Sequence, residues 1–209
     1  FVTCSGDIYE AGQSKTTVPI ESISKVFSAA MAADQLGTDV VDAKIGNMGS
    51  SLPFNSVIGA VLTPTHTINP FVNQGAIATT SLFYKKDKKA YRKKILDNMN
   101  KFAGKKLSFN EAVYKSESDT NATNMTLAYL LKSFDRFYGD VDDVVDVYTA
   151  QCSVNVSAKD LAMMASVFAN GGTQPVTKER IISEKSAEYI YRALRGEGLY
   201  EYSAKWDTD

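Results

Sequence analysis

Val18-Pro19-Ile20-Glu21-Ser22-Ile23-Ser24-Lys25-Val26-Phe27 is the stretch on which the fold of this chain turns. Pro19 ends any helix before it. From Ile23 the apolar residues recur at Val26, Phe27, Ala30 and Leu36 with helical period, and Gly37 is a stop. The spacing predicts a helix opening at Ser22, directly after a β-like segment. Ser22 and Lys25 then lie one turn apart on one face. The amine can reach the hydroxyl and take its proton, which activates a serine without histidine. The route matters here because His66 is the only histidine in the chain. At a helix start the Ser22 N–H has no intrahelical partner and can donate to a developing oxyanion. The helix dipole disfavours a protonated amine there. Ser-x-x-Lys also arises by chance in a chain of 209 residues, so the pair needs company.

Bulk composition narrows the classes. The net charge of −1 gives no reason to expect nucleic acid. Lys85 to Lys94 carries seven cations and one acid, and reads as a solvated helix start balanced by Asp140, Asp142, Asp143 and Asp146. No apolar run is long enough to span a membrane. The two cysteines, Cys4 and Cys152, read as buried free thiols, which suits a reducing cytoplasm. One histidine and two distant cysteines make no zinc set, and no glycine-rich phosphate loop is present. No metal and no cofactor are expected.

Outward from the central stretch, residues 1–20 read as a hairpin with a Ser5-Gly6-Asp7 turn. Residues 38–60 mix short segments with turn residues, and Thr63 to Pro70 is loop-like. Helices are predicted from Asn73 to about Tyr84, up to Gly104 through Ile95, Leu96, Met99 and Phe102, over Asn121 to Phe134, and over Val141 to Cys152. Ser157-Ala158-Lys159-Asp160 resembles a capping box before Leu161 to Ala169, closed by Gly171-Gly172. Ser183 caps a last helix to about Leu194, and Gly196-Glu197-Gly198 turns the chain into Leu199-Tyr200. The few strands fall near the N-terminus, with others expected at the C-terminus. A mostly helical chain of this kind needs a sheet to pack on.

Further polar residues accompany the Ser-Lys pair. Asn73 opens a predicted helix, and Glu117 and Asn124 fall seven residues apart, two turns on one face if the stretch is one helix. Tyr148 offers a phenol on a helix and Tyr200 another on a turn. Taken one at a time, Asn73 also reads as a helix start, Glu117 as a surface acid, Asn124 as a cap, and both tyrosines as half-buried aromatics.

Taken in order, the segments resemble the glutaminase family. The strings are Glu21 to Lys25, Gly49 to Asn55 ending Leu-Pro-Phe-Asn, Asn69 to Ile77, Ser116-Glu117, Asp146 to Ser153, Ala169 to Gly172, and Gly198-Leu199-Tyr200. The resemblance implies an α+β fold of the serine β-lactamase/transpeptidase type, a helical lobe packed on an antiparallel sheet. It implies one domain over 1–209 that lacks the family's N-terminal segment and C-terminal strands, so that the sheet is incomplete. Gln74 departs from the family's alanine in the Asn-x-Gly-Ala-Ile string.

The implied reaction is hydrolysis of L-glutamine to L-glutamate and ammonia through a serine acyl-enzyme. Ser22 is the implied nucleophile, Lys25 its base, and Tyr148 the relay to the leaving ammonia. A lysine acting so must come down from about 10.4 to about 7–8. Glu117 would pair the α-ammonium, Asn73 and Asn124 would donate to the α-carboxylate, and Tyr200 would close over the carbonyl. The resemblance also implies a cytoplasmic homo-oligomer with no membrane or nucleic-acid partner. Two other readings stay open. One is a serine acyl hydrolase of the same fold acting on β-lactam or peptidoglycan; the other is an inactive, truncated oligomerisation module.

Overall fold

The computed structural model describes residues 1–206. In chain order the elements are β1 (Thr17–Pro19), α1 (Ser24–Leu36), α2 (Thr38–Lys44), α3 (Val57–Leu62), α4 (Asn73–Ser81) and α5 (Lys88–Ala103). Then come β2 (Ser108–Phe109), α6 (Glu111–Asp119), α7 (Ala122–Ser133), α8 (Val141–Cys152) and β3 (Val154–Ser157). They are followed by α9 (Ala158–Ala169), α10 (Glu184–Glu197) and α11 (Ser203–Trp206). Single 3-10 turns lead into α1 at Glu21–Ile23 and into α11 at Tyr200–Tyr202.

The sheet has order β1-β3-β2, all antiparallel, with Pro19 opposite Asn155 and Phe109 opposite Val154. Pro19 sits on an edge strand, where its missing N–H breaks no ladder. The next residue continues the pairing, Ile20 N–H donating to the Val154 carbonyl at 2.8 Å. That bond delivers the chain from the sheet into the turn carrying Ser22.

Helix α1 forms the centre of the helical lobe, against α2, α4, α5 and α10. Its Ala29, Ala30, Ala32 and Ala33 are buried, and small side chains let neighbouring backbones come close on every side. Phe27 anchors it, meeting Phe102 of α5 edge-on at 5.0 Å, while Phe102 stacks on Phe168 of α9 at 5.2 Å. Such ring pairs add about 0.5–1.5 kcal/mol to their area burial.

Several sequence expectations carry through. Gly37 ends α1 at φ 99°, and Gly104 ends α5 at φ 65°. The Ser157–Asp160 capping box is formed, with Lys105 paired to Asp160 at 2.7 Å. The Val2–Ile8 bridge, with Phe1 stacked on Tyr9, makes the N-terminal hairpin.

Four expectations are corrected. Strands β2 and β3 lie mid-chain. They are two and four residues long, too short to show a period, and β3 is squeezed between two helices. Glu117 and Asn124 are on different helices, because Thr120 leaves helical geometry at φ −117°, ψ 15°. Its hydroxyl instead caps the Ser116 carbonyl at 2.9 Å. Helix α10 runs past Leu194 to Glu197, with Gly198 still right-handed at φ −64°, and α11 follows. Cys4 is exposed, so only Cys152 is a buried thiol; neither is in a disulfide.

Candidate active site

Ser22 reaches its place through a strained residue. Glu21 has φ 51°, unusual for a residue with a Cβ, and it swings the chain from β1 into the turn. Lys25, on the first turn of α1, is only 1% exposed. Its Nζ donates to Asn73 Oδ1 at 2.6 Å and to the Tyr200 hydroxyl at 3.3 Å. The rings of Phe54 and Tyr200, stacked at 5.0 Å, lie within 5.5 and 5.1 Å of the same nitrogen. An amide oxygen and a phenol carry no full charge, so burial dominates and lowers the Lys25 pKa to about 8.

Asn73 is the first residue of α4, and its position is doubly held. Its N–H donates to the Phe54 carbonyl at 2.7 Å, and its Nδ2 donates to Asn124 Oδ1 at 3.1 Å. Lys25, Asn73 and Asn124 therefore form one hydrogen-bonded chain across α1, α4 and α7.

Ser22 lines the same cleft as Lys25 and Tyr200, close enough to the Tyr200 phenol to offset a little of the rise that burial gives its pKa. Among the described residues no hydrogen bond runs directly from Ser22 to Lys25. Tyr148, on α8, is buried, and burial holds its phenol well above its ordinary pKa, with Cys152, Tyr200 and Glu117 as charge neighbours. Cys152 lies one turn further along α8, 3.5 Å from Ser24 Oγ. Burial pushes that thiol up to about 11, so it stays neutral beside Lys25.

Glu117 is exposed on α6. Its charge adds to burial in raising the Glu21 pKa. Glu21, Ser22, Lys25 and Tyr200 line a cleft of about 530 Å³ together with Ile20, Ile23 and Phe71, and Glu117 lies near enough for its charge to act on Glu21. A repelling acid pair is a favourable seat for an ammonium.

Hydrogen bonds join Lys25, Asn73, Asn124 and Tyr200; Ser22 shares their cleft, while Tyr148 and Glu117 join the group through electrostatic proximity. Sequence reasoning missed two contributors. Phe54 lies within the quoted Leu-Pro-Phe-Asn string, yet no role follows from the string alone. Glu21 stands beside the serine, but its nearness to Glu117 is a long-range proximity that the sequence does not display. His66 is elsewhere, stacked on Phe134 at 3.8 Å with Nδ1 against the Ala60 carbonyl. Among the described residues no group of three or more His, Cys, Asp and Glu is placed to hold a metal, and no helix is long and apolar enough to cross a membrane.

A helical lobe on a small antiparallel sheet, with this cleft at the head of its central helix, defines a serine β-lactamase-like α+β protein. The comparisons narrow the class. The family model described as Glutaminase matches residues 1–209. The glutaminase of Colwellia psychrerythraea is 48% identical over 205 residues, covering 98% of this chain and 66% of that protein. Glutaminase 1 of Escherichia coli is 38% identical, covering 99% and 66%. Among solved structures, the probable glutaminase YbaS superposes with TM-score 0.95 at 38% identity, over 99% of this chain and 67% of that one. A Bacillus glutaminase superposes with TM-score 0.93 at 26% identity, over 99% and 70%. The chain belongs to the glutaminase family, and it spans about two thirds of the length of these two curated relatives.

Proposed function

We propose that the protein hydrolyses L-glutamine to L-glutamate and ammonia, with Ser22 as nucleophile. The observation that carries this is the buried Lys25, its proton loosened by burial, lining one cleft with Ser22 and Tyr200 in a chain of the glutaminase family. Ser22 Oγ attacks the side-chain amide carbon, and its proton passes to neutral Lys25, with the Tyr200 phenol as the bridging group. The resulting ester is γ-glutamyl-Ser22. The departing nitrogen takes a proton from the same network, with Tyr148 completing the relay, and leaves as ammonia. Water then attacks the ester and returns the proton to Ser22.

The handle of the substrate fits the polar groups. Its α-ammonium sits between Glu117 and Glu21, and its α-carboxylate accepts from the amides of Asn73 and Asn124. A site that pairs both charges favours ligands that carry them over ligands that lack them. The two free thiols suit a reducing, cytoplasmic setting, and by family likeness the working unit is a homo-oligomer. Light scattering after size exclusion tests the last point: a mass of one subunit contradicts it.

The function is tested by ammonia release from L-glutamine, with nitrocefin as the competing substrate. Ammonia without colour change is expected; colour change without ammonia moves the protein to the β-lactam-cleaving class. Glu117→Gln is expected to weaken hydrolysis of glutamine about tenfold or more, as loss of a charged hydrogen bond does. Hydrolysis of a des-amino amide should change much less. Equal losses on both would remove Glu117 from the ammonium site.

A further inference from the structure

Glu197 is the last residue of α10 and takes no part in the chemistry above. Its position is unfavourable on three counts. An acid at a helix C-terminus has the wrong sign for the helix dipole. The side chain is 4% exposed. Its Oε2 is buried with no hydrogen-bond partner, which is costly for a carboxylate. Helix stability therefore does not explain it.

Its contacts do. Oε1 accepts the Ser50 N–H at 2.8 Å, and the Asn69 amide lies against the same carboxyl. Gly49 leaves room for that approach: a Cβ there would fall 2.9 Å from Oε1. Asn69 in turn donates to the Met48 carbonyl at 2.9 Å and accepts the Phe71 N–H at 2.8 Å, at the entrance to α4. Four residues beyond Ser50 comes Phe54, which stacks on Tyr200 and accepts the Asn73 N–H. Three residues beyond Glu197 comes Tyr200 itself. One carboxylate thus joins the loop carrying Phe54 to the turn carrying Tyr200, the two rings that cover Lys25.

We infer that Glu197 is a positioning residue that clips the Ser50–Phe54 loop to the end of α10 and so holds Phe54 and Tyr200 over Lys25. The inference rests on the proposed amide hydrolysis, and it acts on the rate of the chemical step rather than on capture of the glutamine handle.

Three variants of the complete protein test it: Glu197→Ala, Glu197→Gln and Gly49→Ala. Glu197→Ala removes the clip, and Gly49→Ala displaces it while keeping the carboxylate. Both are expected to lower kcat by on the order of tenfold or more, with KM changed less than about threefold. Glu197→Gln keeps an acceptor for Ser50 and should retain most of kcat. In a Tyr200→Phe background, Glu197→Ala should add less than about twofold, because both changes act through one contact. Parental kcat in Glu197→Ala, no rescue by glutamine, or fully additive losses would overturn the inference.

A second measurement separates this outcome from failure of the hydrolase reading. Lysine-selective carbon-13 NMR follows the Lys25 titration without any turnover. Its midpoint, near 8 in the parent, should rise by about one unit in Glu197→Ala and Gly49→Ala as the covering rings loosen. It should stay put in Glu197→Gln. An unmoved midpoint in all three refutes the clip even if glutamine is hydrolysed. A moved midpoint supports it even if glutamine is not.

Discussion

Lys25 concentrates the energetics of the site in one side chain. Its ordinary pKa of 10.5 falls to about 8 in the fold because burial penalises the ammonium. Between those values the unfolded chain holds the proton and the folded chain does not, so stability rises with pH from about 8 to about 10.5. At pH 7 the whole penalty stands, about 3 kcal/mol at about 1.36 kcal/mol per unit. Lys25→Met is therefore expected to stabilise the fold at pH 7 by up to that amount in urea denaturation, with the gain fading toward pH 10.5. A variant less stable than the parent at pH 7 would contradict the assigned cause. The same burial predicts that kcat/KM climbs with pH on an acid limb centred near 8, where the neutral amine appears. A limb near 10 would mean that burial fails to loosen the proton. Spacing predicts Ser22 on the helix of Lys25, whereas Ser22 sits on a 3-10 turn and α1 begins at Ser24, because Glu21 at φ 51° interrupts the helical run. The Lys25–Tyr200 contact was not legible either, because it spans 175 residues of sequence. Gln74 shows another limit. Its buried amide has no partner at either polar atom, a feature visible only once α4 is packed.

At the scale of elements, long periodic helices and capped ends were readable, and short strands were not. Helix α8 runs from Val141 to Cys152 as its valine pattern implies, and α9 starts on its capping box. Strand β3 escaped because four residues between two helices carry no period of their own; pairing with β1 and β2 makes them a strand. The α6–α7 break escaped because a single threonine turn lies within a stretch of helix-compatible residues. Helix α4 shows how tightly one element is placed. A Cβ at Gly75 would fall 1.7 Å from the Asn69 carbonyl oxygen and 2.6 Å from that of Thr67. Both are backbone atoms that cannot swing aside. Gly75→Ala should push α4 off the preceding loop and carry Asn73 with it. The expected cost is about 3 kcal/mol of stability, with a loss of kcat/KM on the order of a hundredfold. Parental melting temperature and activity in that variant would show that α4 has slack the packing denies.

The candidate site draws on distant parts of the molecule. Ser22 comes off the sheet, Lys25 heads the central helix, Asn73 and Asn124 open or line two neighbouring helices, Tyr148 comes from α8, and Tyr200 follows α10. Such a cleft exists only when sheet and helical lobe are packed together, so activity and global stability should be lost in one transition. The order of the strings along the chain was enough to place the family, while the hydrogen-bond network emerged only from tertiary packing. In the proposed reaction the Ser22 hydroxyl, its proton drawn off toward an uncharged Lys25, forms the bond to the amide carbon. Ammonia release from L-glutamine by Ser22→Ala, in the complete protein and beside the parent, is the decisive assay. With folding intact by circular dichroism, kcat is expected to fall by on the order of ten-thousandfold or more; turnover within about tenfold of the parent would remove Ser22 as the nucleophile.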